Sequence, residues 1–142
     1  MTVTFFGHRD ATDGIKEPLK AVLTELILDG ADNFLVGNNG AYDHIVRRTL
    51  KELKHTFGHI RYSVVLAYLP GKQDKLLSED YSDTVFPEGL EKVPPRAAIP
   101  QRNMWMIERC DVAVVYANHF GNAQHFAEIA EKKGKRVIRL SK

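Results

Sequence analysis

The sequence predicts an α/β fold, a three-layer Rossmann-like sandwich built on a mostly parallel sheet of about five strands. Two observations predict it. Short apolar runs alternate with segments of helical spacing along the chain, which favours parallel strands joined by right-handed crossovers. The first run, residues 2–6, ends abruptly at Gly7, and His8 and Arg9 follow before a helical pattern begins. That order is typical of a first strand, turn and helix.

The bounds of each element follow from residue type and spacing. Apolar, β-rich runs predict five strands, at residues 2–6, 33–36, 62–69, 111–117 and 136–140. Apolar residues at helical spacing predict four helices, at residues 15–28, 41–56, 101–109 and 121–133. Gly30 and Gly134 stand where helices should stop. Pro100 stands at a suitable first position for the third helix.

Residues 72–100 depart from this pattern. They hold Pro87, Pro94, Pro95 and Pro100 and show no sustained period. Because a structureless loop of this length is unusual in a compact domain, we expect a partly ordered excursion, with a short helix near residues 75–80. Its position after the third strand suits a lid over a ligand site, and the alternative is a surface insertion without a role. Chain length predicts a single domain, residues 1–142.

The composition of the chain argues against some classes of function and favours others. The chain is 44% hydrophobic and 27% charged, as soluble globular proteins are. A formal net charge of only +2 argues against a dedicated duplex-DNA binder with a large phosphate footprint. The single cysteine, Cys110, precedes an apolar run, which suits a buried thiol in a reducing compartment. No apolar stretch is long enough to span a membrane, so we expect a cytoplasmic protein.

Glycine and polar residues follow three of the predicted strands and open the third helix. These segments are residues 7–9 (Gly-His-Arg), 37–40 (Gly-Asn-Asn-Gly), 102–103 (Arg-Asn) and 118–122 (Asn-His-Phe-Gly-Asn). In a parallel sheet they lie along the carboxyl edge, which is where open α/β sheets bind ligands. We therefore expect them to form one site.

This expected site suits a phosphate. Helices that begin at Gly40 and Gly121 would direct unpaired N–H groups and a partial positive charge at the edge. Arg9 and Arg102 add guanidinium groups, which bind oxyanions in a bidentate fork. If the two arginines clamp a phosphate, replacing either one should weaken binding about ten- to a hundredfold and leave folding nearly intact. Asp43 falls in the first turn of the second helix, where the helix dipole accounts for a carboxylate without a catalytic role.

Other chemistries have weaker support. The sequence contains no complete Gly-x-Gly-x-x-Gly after the first strand, no Walker-type Gly-Lys-Ser/Thr and no Gly-x-Ser-x-Gly elbow. His55 and His59 have no acidic or cysteine partner at metal-ligand spacing, so we expect no metal site and no cofactor. The carboxylates most able to reach the expected site are Asp43, Glu108 and Glu128.

Four stretches carry a resemblance to a known superfamily. They are Phe-Phe-Gly-His-Arg at 5–9, Gly-Asn-Asn-Gly-Ala-Tyr-Asp at 37–43, Arg-Asn-Met-Trp-Met-Ile-Glu-Arg-Cys-Asp at 102–111 and Lys-Lys-Gly-Lys-Arg-Val-Ile at 132–138. Together they resemble the SLOG superfamily, and most closely its YpsA/YoqJ-like bacterial group. The resemblance covers nearly the whole chain except residues 72–100.

The resemblance implies a Rossmann-like fold that binds nucleotides or nucleotide-derived ligands. Relatives include the LOG phosphoribohydrolases, which release a base from a nucleoside monophosphate, and DprA, which binds single-stranded DNA. The architecture also resembles nucleoside deoxyribosyltransferases. LOG enzymes carry Pro-Gly-Gly-x-Gly-Thr beside a catalytic carboxylate, whereas residues 120–123 here read Phe-Gly-Asn-Ala. The deoxyribosyltransferase glutamate would fall at Phe126, and Glu128 is the nearest substitute. These departures argue against N-glycosidic cleavage, whose transition state needs a nearby carboxylate.

The sequence therefore favours a binding domain for a nucleotide or nucleotide-derived phosphate ligand, with a sensory or regulatory role. The expected ligand-binding residues are Gly7, His8, Arg9, Gly37, Asn38, Asn39, Gly40, Asp43, Arg102, Asn103, Gly121 and Asn122. The glycines would admit a ligand close to the backbone, the arginines would bind phosphate, and the histidine and asparagines would hydrogen-bond ribose, base or phosphate.

Two alternatives remain open. One is a nucleoside-phosphate N-glycosidic hydrolase or transferase, of the LOG-like or deoxyribosyltransferase-like kind. The other is a single-stranded oligonucleotide as partner, against which the low net charge argues. By analogy with relatives, a homodimer is the expected assembly, and the sequence itself does not decide the oligomeric state.

Overall fold

The computed structural model describes residues 1–68, 84–117 and 121–140. Its strands are β1 (Thr2–Gly7), β2 (Asn33–Val36), β3 (Arg61–Val65), β4 (Thr84–Val85), β5 (Val112–Tyr116) and β6 (Arg136–Arg139). Its helices are α1 (Lys16–Leu28), α2 (Ala41–Thr56), α3 (Pro95–Arg109) and α4 (Asn122–Lys132), with short 3-10 turns at Asp13–Ile15 and Leu90–Lys92. All the described strand pairs are parallel, and the sheet order is β4-β3-β2-β1-β5-β6.

The helices cover both faces of the sheet. Buried residues of α1 and α2 pack with Val3 and Phe5 of β1 in one core. Buried residues of α3 and α4 pack with Phe6 of β1 in the other. Successive strand residues therefore face opposite cores, as the pleat requires. The predicted three-layer Rossmann-like sandwich is confirmed.

The order of the strands determines where a ligand can enter. The chain moves outward from β1 through β2 and β3 to β4, and then returns across β1 to place β5 on the other side. Tyr116, at the end of β5, pairs in register with Gly7, at the end of β1. The connections that follow β1 and β5 run toward opposite edges of the sheet. A crevice therefore opens between them at the carboxyl ends of β1 and β5.

The structure differs from the sequence prediction between residues 65 and 100. The third strand ends at Val65 rather than at residue 69, and the sheet has a sixth strand, β4, in the segment expected to be irregular. That strand has two residues, too few to show a period of two. Helix α3 begins at Pro95, and Pro100 lies in its interior rather than at its start. The helix expected near residues 75–80 falls outside the described residues, as do residues 72–83 of the proposed lid.

Elsewhere the predicted bounds agree closely with the structure. Helix α2 and strand β2 have the predicted bounds, because Gly37 and Gly40 separate a short apolar run from a clear helical period. Cys110 is buried as expected, at 1% exposure. Within the described residues, none of the helices combines the length and the hydrophobicity that crossing a bilayer requires.

Candidate functional site

A cleft of about 320 Å³ opens at the carboxyl edge of the sheet, beside the β1–β5 crevice. Its lining comes from the β1 end, from the start of α2, from α3 and from the start of α4. The lining residues are Phe5, Phe6, Gly7, His8, Arg9, Asp10, Asn39, Asp43, Ile99, Arg102, Asn103, Met106, Gly121, Asn122, Ala123 and Phe126. The four segments expected to converge therefore contribute to one cleft, although residues 118–120 lie outside the described part of the chain.

Three of the expected ligand-binding residues do not line this cleft. They are Gly37, Asn38 and Gly40. Asn38 Oδ1 accepts a long hydrogen bond of 3.5 Å from Arg102 Nη1. Gly40 has a φ of +94°, and a Cβ there would lie 2.9 Å from Arg9 Cα. These residues contact side chains that line the cleft but do not line it themselves.

Arg102 is the most deeply buried charged side chain of the lining, at 2% exposure. Its Nε donates a hydrogen bond of 2.9 Å to Asn103 Oδ1, and its Nη1 donates one of 3.0 Å to the carbonyl of Val65. Burial lowers the pKa of this guanidinium, the Asp43 carboxylate opposes that shift, and the charge of Arg9 adds to it. Arg9 and Arg102 line the same cleft, as the topology predicted.

Asp43 is a carboxylate buried in the same cleft, at 8% exposure. It lies in the first turn of α2, and its Oδ2 accepts a hydrogen bond of 3.0 Å from the backbone N–H of Asn39. Burial raises the pKa of Asp43, and Arg102, the Asn39 N–H, Arg47 and Arg9 reduce that rise. Because the burial effect is the larger, Asp43 binds a proton more readily than an exposed aspartate does.

Gly37 lets Arg102 and Asp43 approach one another. A Cβ at this position would lie 2.8 Å from both Arg102 Nη1 and Asp43 Oδ2. The absence of a side chain therefore serves an internal charge cluster rather than close contact with a ligand. Replacing Arg102 would leave Asp43 buried with less compensation, so we expect such variants to be destabilised. This expectation differs from the one based on the sequence alone, that Arg102 can be replaced with little effect on folding.

Gly7 also has an internal role. A Cβ at this position would overlap the ring of Tyr42, which is 1% exposed. The Tyr42 hydroxyl donates a hydrogen bond of 2.9 Å to the carbonyl of Val114, and its ring stacks on Tyr116 with centroids 6.3 Å apart. Although Gly7 lines the cleft, packing of Tyr42 under the end of β1 is what requires a glycine here.

The amino end of α2 is less open to an anion than expected. The N–H of Ala41 donates a hydrogen bond of 3.0 Å to the carbonyl of Arg9, and the N–H of Asn39 is bonded to Asp43. These two N–H groups are therefore already hydrogen-bonded within the protein and are not available to an anion. The amino end of α4 differs, because Gly121 and Asn122 line the cleft and no atom of the described residues lies within 4 Å of a Cβ placed on Gly121. Of these two helix ends, that of α4 is the one at which the described residues leave space for a ligand.

The rest of the lining combines a histidine with an apolar wall. His8 is 7% exposed, its N–H donates to the carbonyl of Tyr116 at 3.3 Å, and its ring meets the Tyr116 ring edge-on. The apolar wall includes Phe6 and Phe126, whose rings stack with centroids 5.6 Å apart. Such a wall suits the flat face of a base or a sugar ring. Phe126, at the position where the resemblance places a catalytic glutamate, belongs to this wall.

Sequence reasoning missed several lining residues. Asp10 directly follows Arg9 in the same turn, so its position in the sequence could have predicted that it lines the cleft. Ile99 and Met106 share a face of α3 with Arg102, since residues three and four apart are neighbours on a helix. Ile99 was missed because the sequence predicted that α3 begins at residue 101, which left Ile99 in the irregular segment.

Of the three carboxylates expected near the site, only Asp43 lines it. Glu128 is exposed and accepts a hydrogen bond of 3.1 Å from Gln124 Nε2. Glu108 is exposed and faces a separate cleft beside Trp105. Among the described residues, no group of three or more histidine, cysteine, aspartate or glutamate side chains is arranged to hold a metal ion.

Comparison with known proteins supports the fold. No family model and no curated protein sequence matches the chain. Among solved structures, DNA processing protein A from Helicobacter pylori matches it with a TM-score of 0.69 and 16% sequence identity. The match covers 100% of this chain and 66% of that chain, so the present chain spans about two thirds of the length of its structural neighbour. That protein is described as binding single-stranded DNA. At this identity the likeness establishes the fold alone.

Proposed function

We propose that the chain binds a nucleotide or nucleotide-derived phosphate ligand in this cleft and has a sensory or regulatory role. The observation that carries the proposal is the convergence of Arg9, Arg102 and the amino end of α4 on one cleft at the switch point of the sheet. Guanidinium groups and free N–H groups at a helix start are the usual protein ligands of phosphate.

Charge balance indicates which groups are available to the phosphate. The lining holds Arg9 and Arg102 against Asp10 and Asp43. Arg102 is buried beside Asp43, whereas Arg9 is exposed. We therefore assign the phosphate to the space between Arg9 and the start of α4. Arg102 contributes its Nη2, which makes no hydrogen bond within the described residues, while its Nη1 and Nε hold the wall.

We further propose that the chain belongs to the SLOG superfamily, within the YpsA/YoqJ-like group. Its fold is that of DNA processing protein A, and the four motif stretches resemble that group. This structural neighbour is described as binding single-stranded DNA. A short single-stranded oligonucleotide is therefore a second candidate for the phosphate-bearing ligand.

The binding test uses Arg9, because an exposed side chain can be replaced without damage to the core. Thermal unfolding and calorimetry are run with nucleoside monophosphates, inorganic phosphate and a short single-stranded oligonucleotide. Arg9→Ala should bind the phosphate ligand about ten- to a hundredfold more weakly than wild type, because it loses a charge-assisted contact. Arg9→Lys should restore binding only in part, since a point charge does not reproduce the planar fork.

The matched control is Arg61→Ala. Arg61 is an exposed arginine at the start of β3, the opposite edge of the sheet, and its replacement should leave affinity unchanged. A phosphate-bearing ligand that stabilises wild type and Arg9→Ala equally would show that the phosphate lies elsewhere.

The second candidate function is N-glycosidic bond cleavage, and the position of Asp43 favours it. A buried carboxylate with a raised pKa suits a proton donor to a leaving base. The same panel is therefore assayed for base release. Release that is lost in Asp43→Asn and retained in Glu128→Gln would establish an enzyme. A bound nucleotide that stays intact would leave binding as the function.

A further inference from the structure

Asn39 has a buried oxygen that the protein does not use. Asn39 lines the cleft, and its Oδ1 is buried with no hydrogen-bond partner among the described residues. Backbone conformation does not explain an asparagine here, because none of the described residues other than glycine has a positive φ. Its N–H is bonded to Asp43 Oδ2 at 3.0 Å, which holds the residue in place. A buried acceptor without a partner is unfavourable for the folded protein, so a ligand group that donates to it would be well bound.

A second acceptor lies beside it. Asp43 uses Oδ2 for the Asn39 N–H, and its Oδ1 takes no hydrogen bond within the part of the chain that the structure describes. Two neighbouring oxygen acceptors repel a phosphate, which carries only acceptors and negative charge. They suit a ligand that presents hydrogen-bond donors, as hydroxyl and amino groups do.

The topology separates these acceptors from the amino end of α4. Asn39 and Asp43 follow β2, whereas the start of α4 follows β5, and β1 lies between those two strands. Two strand spacings amount to about 10 Å. A sugar phosphate with its phosphate at α4 can therefore direct its ring hydroxyls at Asn39 and Asp43.

We propose that Asn39 and Asp43 recognise the adjacent hydroxyl groups of a ribose, so that the cleft selects ribonucleotides over 2′-deoxyribonucleotides. This inference rests on the proposed function, because it places a sugar in the same cleft. Two adjacent hydroxyls provide two separate donors for two neighbouring acceptors. A base amino group provides both of its hydrogens on one nitrogen and fits the pair less well.

The test compares ribose 5-phosphate with 2-deoxyribose 5-phosphate, and the four ribonucleoside monophosphates with their 2′-deoxy counterparts. Wild type should prefer the ribo form by about tenfold, the value of one hydrogen bond. Asn39→Ala should reduce that preference to near unity and leave deoxy affinity nearly unchanged. Its unliganded unfolding temperature should not fall, because the replaced amide oxygen had no partner in the protein.

The control is Gln101→Ala, which removes an exposed carboxamide from α3 outside this cleft and should alter neither affinity nor preference. Equal binding of ribo and deoxy forms to wild type would overturn this inference and leave the proposed function standing. A preference that follows the base amino group would also overturn it. Failure of every phosphate ligand to bind would overturn both. A loss of phosphate affinity in Asn39→Ala without a change in preference would show that its amide nitrogen faces the ligand instead.

Discussion

Gly7 and Tyr42 show how a residue at a ligand cleft can be required by the core beneath it. The Tyr42 ring occupies the space that a side chain at position 7 would need, and its hydroxyl is bonded to Val114. The sequence motif alone favours a ligand at this glycine, and the packing provides a different reason for it. The two explanations predict different behaviour on substitution.

Gly7→Ala should destabilise the protein by about 1–3 kcal/mol or more, since overpacking forces a buried ring and backbone to move. Equilibrium denaturation measures the change. Gly58→Ala is the control, because an added Cβ there meets no atom within 4 Å, and its effect should stay within about 0.5 kcal/mol. A Gly7→Ala protein that is as stable as wild type but fails to bind ligand would restore the ligand explanation.

Asp43 should give an unusual pH dependence of stability. Its pKa in the folded protein is raised, chiefly by burial, above the ordinary value for an aspartate. The folded state therefore holds the proton more tightly than the unfolded state, and stability falls as pH rises from that value through the folded pKa. The unfolding free energy of wild type relative to Asp43→Asn should thus decrease with rising pH above about pH 4.

Glu52 provides the control of opposite sign. Its hydrogen bond from Lys16 Nζ, at 2.6 Å, lowers the pKa of Glu52. Its contribution is present above the unfolded pKa and is lost as pH falls through the folded pKa, so wild type relative to Glu52→Gln should gain stability with rising pH. Parallel curves for the two comparisons would contradict the assignment for Asp43.

Helix α3 supplies much of one wall of the cleft, and its sequence contains a conflict. Pro95 occupies the first position, which proline favours, whereas Pro100 lies in the interior and has no N–H to donate to the carbonyl of Arg96. Two cleft residues, Ile99 and Arg102, lie on either side of Pro100. The break in the hydrogen-bond ladder therefore falls in the part of the helix that shapes the site.

Pro100→Ala should stabilise the protein by about 1–2 kcal/mol, because the gain in helix propensity exceeds the entropy that proline removes from the unfolded chain. Thermal and chemical unfolding measure the gain. Pro95→Ala, at the first position, should be neutral or slightly destabilising. A loss of stability in Pro100→Ala would mean that the packing of α3 depends on the proline ring.

For the whole molecule, local patterns were sufficient to predict the architecture and the approximate place of the site. Alternating strands and helices predicted the layers, and the expected topology placed Arg9 and Arg102 at the same edge of the sheet, where both line the cleft. Strand β4 was missed because two residues carry no period, and the start of α3 was missed because either Pro95 or Pro100 could open a helix.

The internal chemistry of the cleft could not be predicted in the same way. The hydrogen bond from the Asn39 N–H to Asp43 depends on the geometry of a local turn, and the approach of Arg102 to Asp43 beside Gly37 depends on packing between segments far apart in the chain. Whether the buried Oδ1 of Asn39 has a partner depends on the three-dimensional positions of all the donors around it. Sequence patterns indicate which residues meet, but not which of their atoms are already engaged.

The central position of β1 has a consequence for the synthesis of the protein. β1 precedes both of its neighbours in the chain. It can pair with β2 soon after both are translated, but its other edge pairs with β5, where Val3 lies opposite Val112. At the usual pace of translation, that edge stays open for about 5–20 s. It carries Phe5 and Phe6, and an unpaired apolar edge is a template for aggregation. The part of the nascent chain most in need of shielding is therefore the strand that ends up at the centre of the finished sheet.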